Sequence, residues 1–119
     1  MSGTSLDGLD VVLVDFKQDI NSTIEWKIIA SETIRYSDEW LYTLEHVYSL
    51  STIELLSAHK RYGAYLGEQV KAFLTEKKQT ADLIASHGHS IFHDPKKGFS
   101  FQLGDGNSIA ATSGITTTY

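Results

Sequence analysis

MSGTSLDGLDVVLVDF, residues 1–16, joins a polar, glycine-bearing stretch directly to a β-branched apolar run. Gly3 and Gly8 bracket Thr4, Ser5, Leu6 and Asp7, and Leu9 and Asp10 lead into the run. Glycines permit positive φ and let backbone N–H groups come close to an anion, and the Thr4 and Ser5 hydroxyls add donors. Asp7 or Asp10 can hold a magnesium ion, usually through water, that bridges nucleotide phosphates. The stretch lacks the GxxxxGK[ST] pattern, so it is not a Walker A loop. By composition alone, a polar hairpin turn with a structural Asp is the competing reading.

Leu9 to Phe16 reads as a strand because it is rich in apolar and β-branched residues. Asp19 to Ser22 reads as a turn, and Ile24, Trp26 and Ile28 alternate with Glu25 and Lys27 in a second strand running to about Tyr36. The short link predicts an antiparallel hairpin.

Ser37-Asp38-Glu39 supplies a cap and acidic first-turn residues for a helix, on which Trp40, Leu41, Leu44, Val47 and Tyr48 share a face. Ser51 and Glu54 have capping-box spacing for a second helix to about Lys77. Its stripe is Leu55, His59, Tyr62, Leu66, Val70 and Phe73. Gly63 and Gly67 lie on it four apart, each costing about 1 kcal/mol relative to Ala, which predicts close approach by another backbone. Ala81 to Ser86 is expected to be a buried strand. Phe99, Phe101 and Leu103 alternate with Ser100 and Gln102 in another, and Gly104-Asp105-Gly106-Asn107 breaks it and caps a short helix over about 108–113. The order strand, strand, helix, helix, strand, strand, helix makes the class mixed α/β.

The 119 residues make one domain or a piece of one. A net charge of −5, with Lys77-Lys78 and Lys96-Lys97 as the longest basic runs, argues against a nucleic-acid partner. No cysteine is present, which excludes disulfides and Cys-based metal sites. No apolar run approaches 18 residues and the first residues lack a signal-peptide pattern, so no membrane partner and a cytoplasmic location are expected.

His87, His89 and His93 can make a three-nitrogen zinc site only if one straight strand carries all three, and Gly88 and Pro95 oppose that. Satisfied hydrogen-bonding histidines are the simpler reading. Asp105 is read as a helix cap, and His46 and His59 as core-edge or surface residues.

Three strings change the weight of the opening stretch. MSGTSLDGLD resembles the N-terminal signature of the anhydro-N-acetylmuramic acid kinase family, and YGAYLGEQV and SHGHSIFHDPKKGFSFQLGDGNSIAATSGI are similar to that family as well. The resemblance implies an actin-like, sugar-kinase ATPase fold with a ribonuclease-H-like core. It places Gly3, Thr4, Ser5, Leu6, Asp7, Gly8, Leu9 and Asp10 against the ATP phosphates, with an acidic residue near Mg2+; Asp7 lies in the turn and Asp10 inside the strand pattern, so Asp7 is the preferred one. The family opens the anhydro ring of its sugar with water and phosphorylates the freed hydroxyl, in recycling of cell-wall peptidoglycan. Ser86, His87 and Asp105 would line the sugar cleft. The general base of the family falls in a motif expected beyond residue 119, so no catalytic residue carries over. Residues 1–119 therefore read as an N-terminal subdomain piece, lacking the strand that should precede the turn and inactive alone. The edge left by that strand invites a homodimer. The alternatives are another actin-like sugar kinase or ATPase, and a non-catalytic half-domain that acts by association.

Overall fold

The computed structural model describes residues 6–20 and 23–119. Strand β1 (Leu9–Gln18) pairs antiparallel with β2 (Ile24–Ile34), as the short polar link predicts. Asp19 closes the link: its Oδ1 accepts the Thr23 N–H at 2.8 Å, and its own N–H donates to the Thr23 carbonyl at 3.1 Å. The register shifts by one residue between Leu13 and Val14, leaving Ile29 as a bulge in β2. One face of the hairpin, carrying Leu9, Val11 and Ile34, packs on the core. The other carries Val12, Phe16, Ile24, Trp26 and Ile28, all more than half exposed. β2 ends at Ile34 rather than Tyr36, and Tyr36 turns inward to be buried.

Helix α1 (Asp38–Glu45) starts where the Ser37 hydroxyl accepts the Trp40 N–H at 3.3 Å. It stops at His46, and a short 3-10 turn over Val47–Ser49 follows. That break rotates Tyr48 off the predicted apolar face. Leu44 and Val47 are buried, whereas Tyr48 is exposed and meets the edge of Phe92 with ring centroids 5.8 Å apart.

Helix α2 (Thr52–Lys77) opens with the predicted capping box: the Ser51 N–H donates to Glu54 Oε2 at 2.8 Å, and the Glu54 N–H donates to the Ser51 hydroxyl at 3.4 Å. Lys78, in the left-handed conformation at φ 53°, ends it. Tyr62, Leu66 and Phe73 bury its stripe. Tyr62 is the hub. It is fully buried, its hydroxyl lies 2.7 Å from that of Tyr36, and Trp40 meets its ring edge-on at 5.1 Å. One aromatic cluster thus ties the end of β2 and the start of α1 to α2.

Strand β3 (Leu83–Ala85) pairs in parallel with β6 (Thr116–Thr118). β4 (His89–Asp94) pairs antiparallel with β5 (Phe99–Leu103) across a 3-10 turn at Pro95–Lys97. Helix α3 (Gly106–Ser113) lies between β5 and β6, and Gly114 ends it at φ 75°. Among the described residues the strands make three two-stranded sheets, and the class is mixed α/β.

Two expectations need correction. The segment 81–86 is not a buried strand: only Leu83–Ala85 pair, among the described residues β6 is their one strand partner, and Leu83 and Ala85 are exposed. β4 and β6 complete the order as strands that the sequence pattern did not separate. Their Ser, His and Thr residues show no apolar run, and each forms on a neighbouring strand's open edge.

Gly63 and Gly67 meet another backbone, as their spacing predicts. A Cβ on Gly63 would fall against the backbone carbonyl oxygen of Asp105 and 2.9 Å from its nitrogen. One on Gly67 would lie 2.9 Å from the Ile109 carbonyl oxygen. The missing methyl groups seat α3 directly on α2, which puts the Gly104–Asp105 turn against residues 59–63.

Candidate functional site

Of the opening stretch, Gly3, Thr4 and Ser5 lie outside the described residues, and Leu6 to Asp10 lie within them. Leu6 adopts a left-handed conformation at φ 54°, unusual for a bulky side chain and frequent at functional turns. Gly8 is buried at φ 156°, and a Cβ there would lie 2.7 Å from the Ile34 carbonyl oxygen, so the chain passes β2 too closely for a side chain. Leu9 is in the core. The two carboxylates differ. Asp7 is exposed, whereas Asp10 Oδ1 accepts the hydroxyl proton of its cross-strand neighbour Thr33 at 2.6 Å. Asp10 thus serves the hairpin, and Asp7 points its charge at solvent.

A second polar region forms where α2, β5 and α3 meet. A cleft of about 260 Å³ is lined by His59, His87, Ser100, Phe101, Gln102, Gly104 and Tyr119. Asp105 sits at its edge as the N-cap of α3. Its Oδ2 accepts the Ser108 N–H at 2.7 Å, the Ser108 hydroxyl at 2.6 Å and Lys60 Nζ at 2.9 Å. Burial pushes this carboxyl up, but the Ser108 and Lys60 hydrogen bonds outweigh it and hold the pKa at about 2. An ionised carboxylate is therefore locked to the start of α3. Oδ1 faces His59, with Nε2 at 4.0 Å.

His59 is joined to the same turn twice: its Nδ1 accepts the Gly104 N–H at 3.0 Å, and its backbone carbonyl accepts the Asp105 N–H at 3.1 Å. Burial lowers the His59 pKa, Asp105 pulls it partly back, and Lys60 lowers it further.

Of the predicted cleft residues, His87 is exposed on the rim, and its Nδ1 faces the Gly88 carbonyl at 3.3 Å. Ser86 is half-buried and donates its N–H to the Thr118 carbonyl at 2.9 Å, anchoring β3 to β6. His87 is among the residues lining the cleft of about 260 Å³, whereas Asp105 is not and follows the lining residue Gly104. The three histidines diverge. Gly88, at φ 67°, separates His87 from β4, and β4 bulges between Ser90 and Phe92. His89 is consequently buried, its pKa lowered by burial and then by the charge of His87, while His93 is exposed beside the Ser100 hydroxyl at 3.1 Å. Among the described residues no three His, Asp or Glu side chains group to hold a metal. No helix there is long and apolar enough to cross a membrane.

Sequence reasoning did not single out His59, Lys60, Gln102 or Tyr119 for this region. A signal for His59 was present: it stands one turn before Gly63 on the same face, and the glycine pair announces an element arriving on that face.

Comparison with known proteins gives a consistent result. The sequence model of the family described as anhydro-N-acetylmuramic acid kinase matches residues 1–118. Curated relatives bearing that same name are 35% identical in Pseudoalteromonas translucida, 36% in Haemophilus influenzae and 37% in Shewanella baltica. These alignments cover 97–98% of this chain and 31–32% of the relatives, so the chain spans about a third of their length.

Proposed function

Because the chain belongs to the anhydro-N-acetylmuramic acid kinase family, we propose that it supplies the nucleotide-phosphate turn and one wall of the sugar cleft of an ATP-dependent kinase. That kinase opens the anhydro ring of anhydro-N-acetylmuramic acid with water and phosphorylates the freed hydroxyl, within an actin-like, sugar-kinase fold. Its place is the ATP-containing cytoplasm, in recycling of peptidoglycan.

The observation that carries this reading is the family match over residues 1–118 together with the unequal roles of the first two carboxylates. In the proposed site, Gly3 to Asp10 cradle the ATP phosphates with backbone N–H groups and the Thr4 and Ser5 hydroxyls. Magnesium binds nucleotide phosphates with one or two carboxylates and several waters, so a single solvent-facing acid suffices. Asp7 fits that demand and Asp10, engaged by Thr33, does not. When bound, the ion neutralises phosphate charge. Gly8 and Leu9 hold the turn against β2 and the core. Ser86 and His87 contribute to sugar contact from the end of β3, and Asp105 acts from the N-terminus of α3 by fixing the turn that closes the cleft. These residues bind and orient; proton abstraction from the attacking water is assigned to none of them.

The test is a chimera in which this chain replaces the matching third of a curated relative. ATP-dependent phosphorylation of anhydro-N-acetylmuramic acid is expected, with a large fall in kcat for Asp7→Ala and an unaltered fold by circular dichroism. A folded chimera without turnover rejects the kinase reading, and unchanged turnover in Asp7→Ala removes Asp7 from magnesium.

The outer face of the β1–β2 hairpin favours a second reading. Phe16 and Trp26 stand opposite each other there at 67% and 65% exposure, with Val12, Ile24 and Ile28 around them. An apolar face of this kind supports association of two copies of the chain.

A further inference from the structure

We propose that His59 is a positioning residue: its neutral imidazole, held in one tautomer, pins the Gly104–Asp105 turn at the cleft, and protonating it releases that turn. The Gly104 N–H needs a lone pair, and Nδ1 supplies it at 3.0 Å. The single ring proton is therefore on Nε2, directed toward Asp105 Oδ1 at 4.0 Å. With the His59 carbonyl accepting the Asp105 N–H, two successive amides of the turn end on one residue of α2. No free lone pair remains on the ring, so His59 orients the turn and is not a proton acceptor for a substrate.

Protonation reverses this arrangement. A proton on Nδ1 faces the Gly104 N–H, donor against donor, and that bond is lost. Four charged or titratable groups surround the ring. Lys60 comes from α2 itself and opposes the positive charge. Asp105 comes from the cap of α3 and favours it, but its Oδ2 is already neutralised by Lys60 at 2.9 Å. His87, before β4, and the Tyr119 phenol, after β6, line the same cleft. β5 contributes uncharged neighbours: the Phe101 ring at 5.3 Å, Ser100 and Gln102. The His59 side chain is only 18% exposed, and its pKa is lowered by burial. The latch is thus closed at neutral pH and opens as pH falls below the usual imidazole range. The latch stands on the geometry of this chain; only its effect on sugar binding rests on the kinase reading.

Nuclear magnetic resonance on the 119-residue chain tests it. Long-range 1H–15N spectra report the ring tautomer, and the amide signals of Gly104, Asp105 and Ser108 are followed against pH. The expected result is an unprotonated Nδ1 at neutral pH and a common titration of the three amides with the His59 ring. His59→Asn keeps an acceptor near the Nδ1 position but cannot be protonated, so the same amides should hold their neutral-pH signals through that range. His59→Leu, lacking the acceptor, should speed hydrogen exchange of the Gly104 amide roughly tenfold. A protonated Nδ1 at neutral pH overturns the proposal. So does an unchanged titration in His59→Asn, which would assign it to a group other than His59. If His59→Leu does not fold, the tautomer and the Asn variant decide the matter. In the active chimera, the sugar KM should rise on acidification with native His59 and stay flat in His59→Asn. A flat KM for both, with the amide titration intact, overturns the sugar-cleft assignment and leaves the latch.

Discussion

Replacing Gly63 by Ala tests the central packing of the molecule, the seat of α3 on α2. In an exposed helix this change stabilises by about 1 kcal/mol through backbone propensity. Here the added methyl would press on the Asp105 carbonyl oxygen, approach its nitrogen to 2.9 Å and the Ser108 Cβ to 3.0 Å. Ordinary contact between such atoms is roughly 3.5–4.0 Å, so the turn must retreat by roughly 1 Å. It cannot do so freely. The Asp105 N–H is bonded to the His59 carbonyl at 3.1 Å, and the Gly104 N–H to His59 Nδ1 at 3.0 Å. Overpacking against such a site costs about 3 kcal/mol. After the propensity gain, the net loss is about 2 kcal/mol. Urea unfolding followed by Trp fluorescence measures it, with an unchanged m-value showing that the same surface is exposed on unfolding. Stability equal to or above that of the parent chain would refute the account, because it would mean that α3 can lift from α2 without loss.

The remaining predictions concern charge and association. Asp105→Asn keeps a capping oxygen but loses the charge that Lys60 and Ser108 hold. With the native pKa at about 2 against an ordinary 3.8, the ionised carboxyl contributes about 2 kcal/mol above pH 3.8, and this is lost as pH falls through about 2. The stability lost in Asp105→Asn is therefore greatest at neutral pH and shrinks as the solution approaches the native pKa of about 2; urea midpoints that differ from the parent chain equally at both ends of that range would exclude the mechanism. Phe16→Ser with Trp26→Ser removes two exposed rings from the outer hairpin face, so sedimentation velocity should show self-association weakened by about an order of magnitude or more, with little change in secondary structure. An unaltered monomer fraction would mean that this face does not associate.

Much of the fold was legible because local rules wrote it. The hairpin follows from two β-rich runs around Asp19, α1 from Ser37, and α2 from the Ser51–Glu54 capping box, and each begins within about a residue of its predicted start. The glycine pair announced an approaching backbone but not its owner. The site was less legible. The opening stretch was recognised as a unit and Asp7 was preferred for its place in the turn, but the partner that engages Asp10 came only with the cross-strand register, which puts Thr33 beside it. His59 carried only helix periodicity, and its partner Gly104 lies 45 residues away.

Periodicity, caps and turn chemistry act within a few residues, so the chain alone specifies β1, β2, α1, α2 and the cap of α3. β4 and β6 depend on edges offered by β5 and β3, and the bulge that parts His89 from His93 depends on how β4 meets β5. The state of His59 likewise depends on which amide reaches its ring. Such pairings join residues far apart in the chain, and their stability comes from hydrogen bonds and packing that exist only once the elements have docked.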